Sequence, residues 1–347
     1  REKGDDMKIA IIGNGIVGAT CAFYLGQDEN NQIDVYDDNT YSGTKAAVGI
    51  VCPWVSQRRN KAWYELVEKG ANFYDTLSKD LNTDTFMNRK GAIIIHDTLH
   101  EKLFNLAKKR LKHNPIMKHV TKNIPTHKMP PHFKYDKGFY IEGAFSIDGQ
   151  DYLNHINQKT QNTHFHHQTV SLKTLIEKDY DKILIAAGAR LEPLLNELNI
   201  NMEHKAQKGM LLEIPYEDND YAIIMPKGEI DFLFKKDALV IGASHENDYR
   251  NLDFDEAIKD DLLKQAHAYL DFEVKDLKHR IGLRSQNSQN LPFFGYLNQY
   301  PNIYCVGGLG SSGLTSGPYI GYLMSEHILH DTKLDERFDP NQFIKES

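Results

Sequence analysis

Gly13, Gly15 and Gly18 form the pattern G-x-G-x-x-G directly behind the apolar run Lys8-Ile9-Ala10-Ile11-Ile12. An apolar run of this length predicts a buried parallel strand, Ile16 and Val17 lie inside the glycine pattern, and Ala19 to Leu25 continue as a helix. Each glycine has its own task. Gly13 permits the turn from strand to helix, Gly15 lets the backbone approach a pyrophosphate, and Gly18 lets the helix lie close on the strand. The helix start offers unpaired N–H groups and a positive dipole end to phosphate. A second strand, Gln32 to Tyr36, ends in the acids Asp37 and Asp38. Asp37 stands at the distance where a carboxylate receives a ribose hydroxyl. Strand, glycines, helix, strand and acid in that order predict a dinucleotide site. A glycine turn without a ligand is the alternative, and it leaves Asp37 unexplained.

These elements sit in a chain long enough for two domains. Its 347 residues include 41 basic and 48 acidic ones, for a net charge of −7, which argues against nucleic-acid binding through clustered basic surface. No apolar stretch approaches the length of about 18 residues that spans a membrane. The polar opening Arg1 to Asp6 lacks the apolar centre of a signal peptide and reads as an expression remnant or a disordered leader, with Met7 the expected natural start. Cys21, Cys52 and Cys305 are scattered and odd in number, as in a reduced, cytoplasmic protein.

Helices are expected over Lys61 to Leu81, Leu99 to Lys112, Asp255 to Tyr269 and Ser316 to His330. Strands are expected at Gly91–His96, His164–Leu172, Lys182–Ala187, Gly209–Ile214, Tyr221–Met225 and Asn302–Val306. A strand or hairpin is expected at Gly138–Ile147, a hairpin at Glu229–Gly242, and a surface excursion at His113–Lys137. Strands that can rejoin the first sheet recur near 188 and 307, with long strand-rich insertions between. The fold class is therefore α/β with α+β character: a discontinuous Rossmann-like cofactor domain (7–80, 145–210 and 285–340) and an inserted mixed-sheet substrate domain (81–144 and 211–284).

Six blocks in order give the chain a resemblance to the D-amino-acid oxidase and glycine oxidase family of FAD-dependent oxidoreductases, over about Met7 to Leu329. The first is the G-N-G-I-V-G turn with Asp37, where the family more often has Glu. The second is the small-residue block Thr44-Lys45-Ala46-Ala47-Val48-Gly49-Ile50-Val51, similar to the family's segment beside the pyrophosphate and flavin. The third, Gln168-Thr169-Val170, resembles the strand whose backbone meets the adenine, and the fourth, Ile183 to Ala189, resembles the strand that ends in Ala187-Gly188. The fifth is Gly282-Leu283-Arg284-Ser285 followed by Leu291 to Gly295. The sixth is Val306-Gly307-Gly308-Leu309-Gly310-Ser311-Ser312-Gly313-Leu314-Thr315, like the family's flavin loop.

The resemblance implies FAD as cofactor and a small amine or amino acid as substrate, with hydride passing to flavin N5. The resulting imine is hydrolysed, and the electrons pass to O2 or another acceptor. It also implies that Arg284 holds the substrate carboxylate, a role its planar fork suits. A structural ion pair of Arg284 is the bland alternative, and Arg280 competes for the role from outside the motif. Glycine oxidases carry a tyrosine at Ile223, an arginine at Ser311 and a proline at Ser285. Tyr221 is the expected substitute for the missing hydroxyl. No cysteine follows the flavin loop, so the FAD is expected to be noncovalent. Three readings stay open beside this one: a dehydrogenase of the same fold, a nicotinamide enzyme, and a non-catalytic nucleotide-binding protein. A homo-oligomer is a possible assembly. The H-x-H-H run at His164, His166 and His167 reads as a solvated strand face before it reads as a metal site. Trp54 and Trp63 are candidates to line the cavity or simply to pack.

Overall fold

The computed structural model describes residues 6–135, 137–227, 230–248 and 250–345. Arg1 to Asp5 of the polar opening, and Glu229 at the start of the expected second hairpin, lie outside them.

Two large sheets divide the work. The first has six strands in the spatial order Phe293–Leu297, Tyr300–Gly307, Lys182–Ile185, Met7–Ile12, Asn31–Tyr36 and Thr163–His166. All its pairings are parallel except that of the first two strands. Its central strands are apolar on both faces, with Ile9, Ala10, Ile11, Leu184 and Ile185 fully buried, which suits a parallel sheet covered from both sides. Helix Ile16–Leu25 packs against helix Gly313–His330, which in turn packs against helix Lys61–Asp80. The last begins where the Asn60 side chain accepts a 3.0 Å hydrogen bond from Trp63 N–H, an N-cap.

The second sheet has eight strands in the order Lys278–Gln286, Lys205–Pro215, Ala238–Gly242, Asp231–Lys235, Ile223–Met225, Ala92–Ile94, Phe139–Glu142 and His119–Thr121. It is antiparallel except where Ile223–Met225 meets Ala92–Ile94. A small third sheet joins Ile50–Val51, Phe145–Ile147 and Met87–Asn88.

The six-stranded sheet draws on three separate stretches of chain, as a discontinuous cofactor domain requires. Expected boundaries at 210 and 284 fall inside strands Lys205–Pro215 and Lys278–Gln286, both of which run whole in the larger sheet. The segment Gly138–Ile147, expected as a strand or hairpin, is two strands that part into two sheets. At Gly143 the backbone takes φ +103°, and a Cβ there would lie 2.3 Å from Ile116 O, so the chain turns away rather than back on itself. Helix Gly149–Lys159, absent from the sequence expectations, is capped by Asp148, whose carboxylate accepts from the N–H groups of Gln150 (3.0 Å) and Asp151 (3.1 Å).

Candidate active site

The nucleotide turn is built as its glycines predict. Gly13 has φ +104°, and a Cβ there would meet Ala186 O at 2.4 Å. A Cβ on Gly18 would lie 1.9 Å from Gly13 O, so the helix rests directly on the turn. Gly15 faces the cleft, and a Cβ on it would touch only Thr44 Oγ1, at 3.3 Å. Thr44 Oγ1 also accepts the N–H of Ile16, at 2.9 Å, and so ties the small-residue block to the helix start. Asp37 accepts from the N–H groups of Asn14 and Asn39, at 2.6 Å each. Each carboxylate oxygen keeps a further lone pair for a ribose hydroxyl.

One long cleft runs from this turn between the two sheets. Of the expected residues it is lined by Gly13, Gly15, Ile16, Val17, Asp37, Thr44, Ala46, Ala47, Gly49, Ile50, Ala187, Gly188, Arg284, Gly310, Ser311, Gly313 and Leu314. The fit to an extended dinucleotide rests on its bare glycines. A Cβ on Gly188 would meet nothing within 4 Å, and one on Gly310 or Gly313 would meet a single atom at 3.9 Å. The same cleft thus has exposed backbone at its turn, at its middle and at its far end, beside the start of helix Gly313–His330. Such a surface suits the pyrophosphate and ring edge of FAD.

The other expected residues support this lining from behind or lie elsewhere. Asp38 is taken by Arg190 in a two-pronged pair, at 2.5 and 2.8 Å, and the guanidinium holds its carboxyl well below the usual range. Lys45 Nζ donates to Asn39 Oδ1 at 2.9 Å, Val51 is buried opposite Phe145, and Val170 lies past the end of strand Thr163–His166, outside the lining. Gly308 and Ser312 brace the flavin loop: Gly308 N–H donates to Ser285 Oγ (2.8 Å), and Ser312 Oγ receives Trp63 Nε1–H (3.3 Å). Thr315 is buried in the helix that follows. Trp54 is fully buried and does not line the cleft. The three cysteines are buried and none lines it either.

Tyr221 does not reach the cleft. It precedes strand Ile223–Met225 and packs against Tyr216 and Phe234, and its hydroxyl accepts from Asn219 Nδ2 at 3.1 Å. His166 is held by Asp34 (2.6 Å) and stacks on Tyr36. Among the described residues no three His, Cys, Asp or Glu side chains converge on a metal position.

Arg284 lies on the wall of the larger sheet. Its guanidinium rests across Gly209, where a Cβ would meet it at 2.6 Å. Nη1 donates to Ser244 O at 2.9 Å, and more weakly to Gln207 Oε1 and Lys208 O. The nearby acid Glu246 is paired with Lys208, at 3.3 Å. Arg284 has no ion pair among the described residues, and burial lowers its pKa. Arg280 is engaged, paired with Glu213 at 2.6 Å and donating to Lys45 O at 2.7 Å. The next residue after Arg284 serves the other side: Ser285 Oγ accepts from Gly308 N–H at 2.8 Å and shares a 2.8 Å hydrogen bond with His204 Nε2. Burial pushes the His204 pKa down to about 4, which keeps the imidazole neutral.

Sequence reasoning missed part of the wall: Gly209, Gly242, Asp231 and His245 also line the cleft. The one available signal was an acid opening the apolar strand Asp231-Phe232-Leu233-Phe234.

Comparison with known proteins agrees with this geometry. A family model described as FAD dependent oxidoreductase matches residues 8–327. The chain is 29% identical to an uncharacterized oxidoreductase, YurR, of Bacillus subtilis (strain 168), covering 95% of this chain and 97% of that one. It superposes on iminodiacetate oxidase from Chelativorans sp. BNC1 with a TM-score of 0.86 at 24% identity, over 96% of this chain and 98% of the other. Glycine oxidase from Geobacillus kaustophilus gives 0.80 at 16% identity, with the same coverage. Since that family model matches most of its length, this chain belongs to the DAO family of FAD-dependent oxidoreductases.

Proposed function

We propose that the protein oxidises a small amine or amino acid to an imine, which water then hydrolyses. The observation that carries this reading is the placement of Arg284: a guanidinium without an ion pair among the described residues, on the wall of the same cleft as the nucleotide turn. A planar fork in a desolvated wall suits a substrate carboxylate. Bound FAD supplies the hydride acceptor, and the chain's own residues supply position and charge.

Gly13 to Val17 and Asp37 hold the nucleotide end. The segment from Gly310 to Leu314, at the start of the last helix, directs positive dipole toward the ring end and favours negative charge there. Arg284 fixes the substrate by its carboxylate, which sets the orientation of the α-hydrogen. Orientation of this kind supplies much of a rate enhancement without a side-chain base. The buried cysteines, set away from the cleft, fit a noncovalent cofactor.

The test is the visible spectrum of the purified protein followed by an anaerobic screen of amines and amino acids. A yellow protein bleached by a carboxylate-bearing amine supports the reading, and timed reoxidation by air then separates an oxidase from a dehydrogenase. A colourless protein that takes up NAD, or a flavoprotein reduced only by substrates without nitrogen, overturns it.

A further inference from the structure

The wall that carries Arg284 also carries an acid that no described residue pairs with. Asp231 is aligned with Gly242, Gly242 with Leu211, and Leu211 with Arg280. Residues directly opposite across strands share a face, and alternate residues along one strand share it too. Asp231, Gly242, Arg280 and Arg284 therefore lie on one face of the sheet, and Asp231 and Arg284 both line the cleft.

Several charged side chains along these strands are paired within the protein: Lys235 with Asp148 (2.6 Å), Lys208 with Glu246 (3.3 Å) and Arg280 with Glu213 (2.6 Å). Asp231 has neither a hydrogen bond nor an ion pair from its side chain among the described residues. It is partly buried and lines the cleft. A carboxylate held this way without a partner costs several kcal/mol. A fold keeps such a cost where a ligand of opposite charge offsets it.

We propose that Asp231 is the anionic half of the substrate site: its carboxylate receives a cationic nitrogen of the molecule whose carboxylate Arg284 receives, so the ligand class is a zwitterion. This rests on the reading that the wall faces substrate. The guanidinium lies over Gly209, two strands and two residues from Asp231, which is roughly 12 Å between backbone positions. Both side chains reach inward from there, leaving a gap that one small molecule bridges with a hydrogen bond at each end.

Burial alone raises the Asp231 carboxyl to about 7. The flanking strands Ile223–Met225 and Ala238–Gly242 carry no titratable side chain. The segment ending at Cys52 brings only that thiol, which burial pushes up, and Arg284 and His245 are the other titratable groups of this part of the cleft.

The experiment titrates the FAD-loaded protein with acetate, methylammonium and dimethylglycine, and follows the flavin absorption. The expected result is that methylammonium perturbs the spectrum and binds at least tenfold more weakly to Asp231→Asn, while acetate binds that variant as well or better. Asp231→Glu restores part of the methylammonium affinity. In the wild-type protein, methylammonium binding weakens as the pH falls below about 7, approaching tenfold per unit, whereas acetate binding does not. The pH series needs no variant, so a misfolded substitution does not shield the proposal. If methylammonium leaves the spectrum unchanged, binds Asp231→Asn equally, or shows no such pH dependence, the proposal is overturned. If acetate has no effect while methylammonium binds through Asp231, the acid keeps its role and the carboxylate role of Arg284 falls.

Discussion

The two large sheets make opposite use of side chains. On the side of the six-stranded sheet the cleft is formed by what is missing: at Gly188 and Gly310 a Cβ would meet almost nothing, so the backbone itself is the recognition surface. On the eight-stranded sheet, backbone groups are consumed by the ladder, and on the proposed reading recognition falls to charged side chains that the strands hold apart, Arg284 and Asp231. A nucleotide shared by a whole family is read by a surface that tolerates almost no change. On the proposed reading, a substrate that differs between relatives is read by side chains that can be exchanged without disturbing the ladder.

Substitutions that separate the two sheets test this contrast. The largest effect is expected from Gly18→Val. Its Cβ would lie 1.9 Å from Gly13 O, against backbone that has no room to yield. We expect a loss of more than about 4 kcal/mol and a colourless protein, read by thermal unfolding and by the flavin spectrum. Retention of flavin with an unchanged melting point would end the claim that backbone contact makes this half. Arg284→Ala is expected to keep the flavin and weaken carboxylate binding by about 3 kcal/mol, roughly a hundredfold, measured by titration with acetate.

His204 sharpens the boundary between the halves. Its folded pKa, about 4, lies below the ordinary 6.5, so the unfolded chain binds the extra proton. The stabilising effect is complete above pH 6.5 and is lost as the pH falls toward 4, by an expected total of about 3 kcal/mol. His204→Gln is expected to flatten this part of a pH series of denaturant unfolding. The smallest effect is expected from Asp38→Asn. It breaks a partly exposed pair with Arg190, and the change in stability by the same measurement should stay below about 1 kcal/mol.

Legibility in the sequence followed the same division. The nucleotide half was readable because it is local: strand, glycines, helix and acid lie within about thirty residues, each with a fixed conformational task. The blocks at Thr44–Val51, Ala187–Gly188 and Gly308–Thr315 were readable through resemblance, and most of their residues line the cleft. The wall was not readable, because its members meet only through strand register. Nothing near Gly209 in the chain announces that Arg284 will lie across it, and Asp231 joins the same face through two intervening strands. Tyr221 shows the limit of counting by twos, since the strand begins two residues later and the side chain turns into a separate apolar cluster.

Arg284 and Ser285 are neighbours on one strand and face opposite ways, the first toward the substrate wall and the second toward the loop that carries Gly308. The reading frame of that strand is therefore a shared constraint. A one-residue slip against Lys205–Pro215 would send the guanidinium toward His204 and leave a hydroxyl on the cleft wall, disabling both the proposed substrate contact and the support of the Gly308 loop at once. Diversification within this segment has to proceed by exchange of residue types, since any insertion or deletion exacts both losses together.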